Sequence, residues 1–249
     1  MDRLETIVKL ARNSNSVADI GCDHGQVGVE LLKSTGVTHV ISTDISEKCL
    51  KKSEFLFAST GFQSEYDGRV GDGLKTLNRG EVDTVVIAGM GGDLIKDIVT
   101  YDIGKTLSFE NFIIQPMTNP DVVRETFYKL GYGLEKDLIV IEGSKYYFLM
   151  KFSSLTDKKL EKDWFYTSSL LRDSIETYKE YLKFNLNKNN AIINEIKLNS
   201  SEKSDSRISE LKRNNEKLRT LLEEKVEYKW FDEKTWRILS VKHSNVLGQ

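Results

Sequence analysis

The chain has 249 residues, of which 39% are hydrophobic and 30% are charged, and its formal net charge at pH 7 is -2. This composition is typical of a globular protein with a substantial core, and no apolar stretch is long enough to span a membrane. The near-neutral charge argues against a protein that coats nucleic acid without specificity, but it is compatible with a local basic patch.

The first sixteen residues form a charged amphipathic segment that lacks the continuous apolar run of a secretory signal, so we expect a cytoplasmic protein. The two cysteines, Cys22 and Cys49, do not form a C-x-x-C pair, and the chain has only three histidines. Neither a disulfide framework nor a structural zinc site is therefore expected.

Short β-branched runs alternate with helical stretches in the first part of the chain, which holds sixteen of the seventeen glycines. Several runs are continuously apolar, as in strands that are covered on both faces. Helical stretches separate the first five runs, and residues 142–145 join the last two as a hairpin. The pattern predicts a seven-stranded, mostly parallel sheet with helices on both sides and an antiparallel edge strand. The predicted strands are 17–20, 39–43, 65–70, 84–88, 112–115, 134–141 and 146–152.

The second part of the chain, residues 155–249, is almost free of glycine and predicts a separate helical domain. Two series of residues at alternating spacings of three and four indicate an antiparallel hairpin that resembles a coiled coil. The series are Leu171, Ile175, Tyr178 and Leu182, followed by Ile208, Leu211, Asn215, Leu218 and Leu222. The polar residues 199–206 between them can turn the chain and cap the second helix. The aromatic residues Trp230, Phe231 and Trp236 are expected to pack back on the protein.

A glycine loop, Asp19-Ile20-Gly21-Cys22-Asp23-His24-Gly25, directly follows the first strand and leads into a predicted helix over 26–33. Glycine allows a nucleotide-type ligand to approach the backbone closely, and the helix N-terminus offers free N–H groups. The spacing differs from the G-x-G-x-x-G of dinucleotide-binding dehydrogenases, which counts against that rival interpretation of the fold. The alternative without a ligand is a tight strand-to-helix turn.

Three further segments lie at predicted carboxyl ends of parallel strands, where open α/β sheets bind ligands. Asp44 ends the second strand and can accept hydrogen bonds from ribose hydroxyls, while Asp72 and Gly73 follow the third strand, where a carboxylate can reach an adenine amino group. The segment Ala88-Gly89-Met90-Gly91-Gly92 ends the fourth strand. Each has a simpler explanation as a helix cap or a turn, but together they indicate a nucleotide-type ligand.

Four strings resemble the bacterial tRNA (adenine-22-N1)-methyltransferases, the TrmK family: ADIGCDHG (18–25), GDG (71–73), VDTVVIAGMGG (82–92) and IIQP (113–116). The resemblance covers residues 2–152, and the helical second part agrees with that family's coiled-coil-like extension. Two departures lie on the substrate side. The family usually has Asn directly after Gln-Pro, whereas here Met117 and Thr118 separate Pro116 from Asn119. The family often has Ala-Tyr after Asp-His, whereas this chain has Gly25-Gln26.

The resemblance implies a class I Rossmann-like methyltransferase domain over residues 1–154, with S-adenosyl-L-methionine as the cofactor. It implies that Asp23 is a catalytic candidate and that Gln115, Pro116 and Asn119 lie on the substrate side. The expected cofactor-binding residues are Asp19, Gly21, Cys22, His24, Gly25, Asp44, Ile45, Asp72, Gly73, Ala88, Gly89 and Met90.

A catalytic role for Asp23 is chemically reasonable because the neutral adenine N1 has a lone pair that can attack the sulfonium methyl group directly. A nearby carboxylate can orient the exocyclic amine and stabilise the developing positive charge. The alternative is that Asp23 caps the following helix. The pair Asn119-Pro120 lacks the second proline and the aromatic residue of amino-group methyltransferases, which favours a ring nitrogen. We expect Asn119 to cap a helix over 121–130 instead.

N1 lies on the Watson–Crick edge, so a paired adenine must be unpaired or flipped before it reacts. Candidates for phosphate contacts are Lys158, Lys159, Lys162, Lys212, Arg213 and Arg219. The many Glu and Asp residues nearby leave open an ordinary solvated face. We expect the protein to bind tRNA and to act as a monomer. We expect neither a membrane partner nor a metal ion. Two alternatives remain: a methyltransferase with another acceptor, and a noncatalytic cofactor-binding module whose helical hairpin binds a partner.

Overall fold

The structure is a computed structural model, and it describes residues 2–156, 175–198 and 204–223. The described residues fall into one compact unit that ends at Tyr178 and a second that begins at Lys179. The predicted boundary between residues 154 and 155 stays a prediction. Several residues singled out above lie outside the described ranges: Lys158, Lys159, Lys162, Leu171, Trp230, Phe231 and Trp236.

Six α-helices and seven strands lie in the described part of the first unit up to residue 156. In chain order they are α1 (Arg3–Leu10), β1 (Ser16–Ile20), α2 (Gln26–Ser34), β2 (His39–Asp44), α3 (Glu47–Ser59), β3 (Tyr66–Val70), β4 (Thr84–Gly91), α4 (Gly92–Tyr101), α5 (Ile103–Thr106), β5 (Asn111–Thr118), α6 (Pro120–Lys129), β6 (Gly133–Glu142) and β7 (Lys145–Ser153).

The seven strands form one sheet in the order β3-β2-β1-β4-β5-β7-β6. Strands β1 to β5 are parallel, whereas β7 pairs antiparallel with both β5 and β6. This confirms the predicted mixed sheet with its antiparallel strand at one end. Because β7 lies between β5 and β6, the outermost strand at that end is β6. The hairpin turn is Gly143-Ser144, and Glu142 pairs with Lys145.

The chain between β3 and β4 differs from the expected helical crossover. Here the structure has only a short 3-10 helix, Gly73–Thr76. The segment 71–83 contains Gly71, Gly73 and Gly80, and glycine disfavours a continuous α-helix because its backbone loses the most entropy on ordering. This short connection keeps Asp72 close to the end of β3 instead of placing it on a long helix.

The central strands are buried on both faces, as their apolar runs predicted. Val17 and Ala18 of β1 and Val85 and Val86 of β4 have no exposed surface. Behind β5, Phe127 stacks on Phe152 with ring centroids 4.2 Å apart. The parallel pairing of β1 with β2 and with β4 brings the carboxyl ends of these three strands to the same edge of the sheet.

One ion pair is buried in this core, between α6 and β6. The Arg124 Nε donates to Asp137 Oδ2 at 2.6 Å, and both side chains are almost fully buried. The Arg124 guanidinium also lies 5.3 Å from the ring centroid of Phe148. A charge in this position is tolerated because it is paired and hydrogen-bonded.

Two long helices follow, α7 (Ile175–Leu198) and α8 (Ser204–Glu223). In the second unit Leu182, Leu211 and Asn215 are buried, in agreement with the predicted seam. Asn215 accepts a hydrogen bond from Asn189 Nδ2 at 3.0 Å and donates to Asn190 Oδ1 at 2.8 Å. The helices are therefore joined at this point, while coiled-coil packing along a hairpin stays a prediction. Within 2–156, 175–198 and 204–223 no helix has the length and apolarity to cross a membrane.

Candidate active site

A cleft of about 610 Å³ opens at the carboxyl ends of β1 to β4. It brings together residues from four separate loops, as expected for an open α/β sheet. The predicted site residues that line it are Asp19, Gly21, Cys22, Asp23, His24, Asp44, Ile45, Asp72, Gly73, Ala88, Gly89 and Met90. Gly25, Gln115, Pro116 and Asn119 are not among the lining residues.

The glycine loop is held by its own hydrogen bonds. The N–H groups of Gly21 and Cys22 both donate to Thr43 O, at 2.8 and 3.0 Å, and the Gly25 N–H donates to Cys22 O. The Asp23 N–H donates to Asp44 Oδ2 at 3.3 Å. These four donors of the loop are therefore already bonded within the protein. The free N–H groups expected here belong to the first turn of α2, as at any helix start.

Asp19 is the most unusual side chain of the cleft. It is only 3% exposed, and its Oδ2 has no hydrogen-bond partner among the described residues. Burial, followed by repulsion from Asp44, raises the pKa of Asp19 to about 7. A buried carboxylate oxygen without a partner is costly unless a ligand supplies a donor or a positive charge. This orphaned oxygen fits a cofactor that carries an ammonium group.

The Asp44 carboxylate is fixed at the end of β2. Its Oδ1 accepts from the Ser46 N–H at 2.8 Å, and its Oδ2 accepts from Asp23. The N-cap of α3 is Ser46, whose hydroxyl bonds the Cys49 N–H, so Asp44 is not the helix cap. Each carboxylate oxygen retains a lone pair that can accept a hydroxyl group of a sugar.

Asp72, at the next strand end, is paired with Lys75 and remains 60% exposed at its side chain. The Lys75 ammonium in turn lies 4.4 Å from the ring centroid of Tyr101. The Asp72 carboxylate is thus accessible at the edge of the cleft. Ile45 and Leu94, also in the lining, are 77% and 50% exposed and offer apolar surface to a flat aromatic ring.

The end of β4 is irregular where it meets the cleft. The pairing with β5 shifts register between Ala88 and Met90, and Gly89 has a φ of 82°. A Cβ atom at Gly89 would have no atom within 4 Å, so it would project into open space. Because Gly89 lines the cleft, the absent side chain leaves room for a ligand against the backbone.

Asp23 has a left-handed φ of 48° and a side chain that is 74% exposed. Its Oδ1 lies 3.7 Å from Cys49 Sγ and 3.6 Å from His24 Nε2. The N-cap of α2 is Gly25, with no side-chain hydrogen bond at the cap. The structure therefore does not show the capping interaction considered for Asp23, and its carboxylate faces the cleft with weak partners.

Two neighbours of Asp23, His24 and Cys22, have surroundings that limit their chemical roles. The Lys52 ammonium lies 2.7 Å from His24 Nε2, and because an ammonium can only donate, this nitrogen is engaged as an acceptor. Burial and the nearby Asp19 and Asp44 raise the pKa of the Cys22 thiol to about 12. Cys22 is therefore a neutral wall residue rather than a nucleophile.

The predicted substrate-side residues have mainly structural contacts. Gln115 is fully buried and donates to Pro116 O at 3.0 Å. Asn119 occupies the N-cap position of α6, but its side chain makes no capping bond and donates to Asp93 instead. The expected cap by Asn119 is wrong in this respect, because its left-handed φ of 49° directs the backbone through a sharp turn.

Helix α1 also contributes to the cleft, which the sequence patterns did not predict. Arg3, Leu4 and Ile7 are lining residues. A signal was present in the capping box, in which the Asp2 side chain accepts from the Glu5 N–H and the Glu5 side chain accepts from the Asp2 N–H. Among the residues that the structure describes, no cluster of three or more His, Cys, Asp or Glu could hold a metal ion.

Residues 1–150 match the protein family described as Methyltransferase domain. A curated relative, the tRNA (adenine(22)-N(1))-methyltransferase of Bacillus subtilis (strain 168), is 32% identical over 145 residues. That match covers 58% of this chain and 61% of the relative, so the chain spans less than two thirds of the relative's length. It confirms the family resemblance that the sequence strings indicated.

Two solved structures share the fold over most of the chain. The B. subtilis M1A22 tRNA methyltransferase TrmK has a TM-score of 0.74 at 24% identity, and the match covers 89% of this chain and 97% of that one. The M. capricolum TrmK in complex with S-adenosyl-homocysteine has a TM-score of 0.73 at 22% identity, with coverages of 88% and 96%. With a matching domain over more than half its length, the chain belongs to the methyltransferase-domain family.

Proposed function

We propose that this protein transfers a methyl group from S-adenosyl-L-methionine to N1 of adenine 22 in tRNA. The observation that carries the proposal is the cleft, in which the unpartnered Asp19, the fixed Asp44 and the open backbone at Gly89 converge. The acceptor is supported by the curated B. subtilis relative, whose name specifies that reaction. The M. capricolum structure, a complex with S-adenosyl-homocysteine, supports the cofactor.

When bound, S-adenosylmethionine supplies a methyl group on a positively charged sulfur atom. Asp44 accepts hydrogen bonds from the ribose hydroxyls, and Asp72 accepts one from the adenine amino group. Ile45 and Leu94 cover the adenine ring with apolar surface. Asp19 accepts the ammonium group, which supplies the partner that its buried Oδ2 lacks.

Asp23 acts on the acceptor adenine. Its exposed carboxylate accepts a hydrogen bond from the exocyclic amine and so orients N1 towards the methyl group. As N1 bonds the methyl carbon, the bond between that carbon and sulfur breaks and its electron pair stays on the sulfur of the departing S-adenosyl-homocysteine. The positive charge passes to the adenine ring, where the carboxylate stabilises it. The weak contacts of Asp23 with Cys49 and His24 leave its oxygens available for this role.

With tRNA as the acceptor, we propose that the reaction takes place in the cytoplasm. A tRNA acceptor also requires a protein surface that binds phosphates. Lys212, Arg213 and Arg219 are exposed on α8 and are our candidates for such contacts. A monomer is sufficient, because the residues assigned to the cofactor and to Asp23's role belong to a single cleft of one chain.

Incubation with unmodified full-length tRNA and methyl-labelled S-adenosylmethionine, followed by digestion to nucleosides, tests the proposal. We expect label in N1-methyladenosine alone. A tRNA with guanine at position 22 is the matched control and should accept no label. Label in another nucleoside, or in both tRNAs equally, would disprove the assigned site. Absence of label in RNA despite cofactor binding would point to another acceptor.

A further inference from the structure

The charges that line the cleft are strongly unequal. Four carboxylates line it, those of Asp19, Asp23, Asp44 and Asp72, whereas Arg3 is the single Lys or Arg among the described lining residues. The cofactor of the proposed function carries an amino-acid end with both an ammonium and a carboxylate. Asp19 can pair with the cofactor's ammonium group. The cofactor's carboxylate needs hydrogen-bond donors, and the aspartates of the cleft would repel it.

The glycine loop supplies few of these donors. The N–H groups of Gly21, Cys22 and Gly25 are bonded to backbone oxygens, and that of Asp23 is bonded to Asp44. What remains is the His24 N–H, the start of α2 and the guanidinium of Arg3. Of these donors, only Arg3 carries a full positive charge, and it presents its N–H groups in a planar fork that matches a carboxylate.

Arg3 is held in place before any ligand arrives. Its Nη1 donates to the buried Gln115 Oε1 at 3.3 Å, and its guanidinium carbon lies 4.9 Å from the ring centroid of Tyr147. Its backbone N–H donates to Glu142. A guanidinium has five N–H groups, so most of its donors remain for a ligand. Such preorganisation lowers the entropy lost when an anion binds.

The position of Arg3 suits the amino-acid end of the cofactor. Ile20 pairs with Ile87, and Ala88 pairs with Gln115, so Arg3 lies two strands beyond the end of β1. Two strand spacings are roughly 10 Å, within the combined reach of an arginine side chain and an amino-acid group. Asp44 and Asp72 lie on the opposite side of β1, where the ribose and adenine belong.

We propose that Arg3 binds the carboxylate of the cofactor's amino-acid end, so that α1 forms part of the cofactor site. The assignment rests on the proposed cofactor. Asp19 and Arg3 then form the two poles of a site for a zwitterion, one for the ammonium and one for the carboxylate. Arg3 is a positioning residue in this scheme, since it contacts the carboxylate of the cofactor and not the methyl group that is transferred.

Calorimetric titration of Arg3→Gln with two ligands tests the assignment. S-adenosyl-homocysteine carries the amino-acid end, whereas 5′-methylthioadenosine lacks it. We expect the variant to bind S-adenosyl-homocysteine about 10- to 100-fold more weakly, the range for a lost charge-assisted hydrogen bond. Its affinity for 5′-methylthioadenosine should stay within about twofold. Arg3→Lys should be intermediate, and Arg12→Gln, at an exposed arginine just after α1, should bind both ligands normally.

Other outcomes separate the competing explanations. Equal weakening of both ligands would overturn the assignment and show that Arg3 merely holds α1 in place. Unchanged affinity for S-adenosyl-homocysteine, together with a raised KM for tRNA, would overturn it in favour of a contact with an RNA phosphate. If the unaltered protein binds neither ligand, the proposed cofactor itself is wrong, and the role of Arg3 fails with it.

Discussion

Asp19 and Asp23 are four positions apart in the same loop and have opposite surroundings. Asp19 is 3% exposed with an unpartnered oxygen, while the Asp23 side chain is 74% exposed. The buried carboxylate is suited to a permanent charge on a ligand, whereas the exposed one can meet an acceptor that arrives later. Two identical side chains can thus serve different steps because their environments differ.

Replacement of Asp23 by Asn tests its catalytic role with the least disturbance. Asn tolerates the left-handed backbone of this position and keeps the shape of the side chain, but it removes the charge. We expect turnover to fall roughly 100- to 1,000-fold, the usual effect of a lost electrostatic interaction in the transition state. Binding of S-adenosyl-homocysteine, measured by calorimetry, should be unchanged. A variant with nearly full activity would show that Asp23 is not catalytic.

The raised pKa of Asp19 makes the stability of the ligand-free protein depend on pH. Its folded pKa of about 7 lies above its ordinary value of 3.8, so the folded state binds more protons between these limits. The contribution of Asp19 to the free energy of unfolding therefore declines as pH rises from about 4 to about 7, and is constant above.

We accordingly expect Asp19→Asn to gain stability relative to the unaltered protein as pH rises from 5 to 8. Thermal unfolding at a series of pH values measures the difference. Saturating S-adenosyl-homocysteine should reduce this stability difference. The ligand's ammonium compensates the charge of Asp19 in the unaltered protein, whereas the variant has no charge there to pair with the ammonium. Parallel pH curves for the two proteins would show that Asp19 does not titrate in this range.

Sequence patterns predicted which residues meet in the cleft, but they did not predict the hydrogen-bond partners of those residues. Position at the end of a parallel strand sufficed to group Asp19, Asp44 and Asp72. The loop donors already bonded to Thr43 O depend on the register of β1 against β2, which no single-sequence pattern specifies. The contribution of Arg3 depends on contacts with β5 and β7, more than 100 residues away along the chain.

At the scale of elements, apolar runs and glycines located all seven strands to within a few residues. Periodicity failed between β3 and β4, where a 3-10 helix replaces the expected α-helix. It also gave no indication of the buried pair between α6 and β6, because Arg124 and Asp137 are charged residues within stretches of polar character. Tertiary contacts decide both features.

The Arg124–Asp137 pair allows a test of how a buried charge is maintained. Arg124→Leu removes the cation that faces a fully buried carboxylate, and we expect a loss of roughly 3–5 kcal/mol in the free energy of unfolding. The double variant Arg124→Leu/Asp137→Leu should recover much of that loss, since no lone charge remains buried. Urea unfolding of the two single variants and the double variant measures the coupling. Additive losses would contradict this account.

The whole chain is electrically divided. Residues 1–156 hold 17 Lys and Arg against 22 Asp and Glu, whereas residues 157–249 hold 19 against 16. An acidic first part suits a cofactor that carries positive charge, and a basic second part suits a polyanion such as tRNA. The net charge of -2 is the sum of the two parts and conceals this division. The overall composition was therefore weak evidence for or against nucleic-acid binding.

Replacement of Lys212, Arg213 and Arg219 by Gln tests the role of these exposed basic side chains of α8. If these residues bind phosphates, the KM for tRNA should rise. The slope of log affinity against log salt concentration should become shallower by about 0.7–0.9 for each phosphate that the variant no longer binds. The affinity for S-adenosyl-homocysteine serves as the control and should not change. An unaltered salt dependence would show that these side chains form an ordinary solvated face.

The contacts of α1 have a consequence for the order in which the protein is completed during synthesis. Arg3 contacts Glu142 and Tyr147, which follow it about 140 positions later in the chain. At typical rates of 5–20 residues per second, the ribosome needs roughly 7–30 s to reach them. The strand ends that carry Asp19, Asp44 and Asp72 are all made earlier. The wall of the cleft formed by α1 is therefore the last to be fixed in place, and the nascent protein completes its cleft only after β7 has joined the sheet.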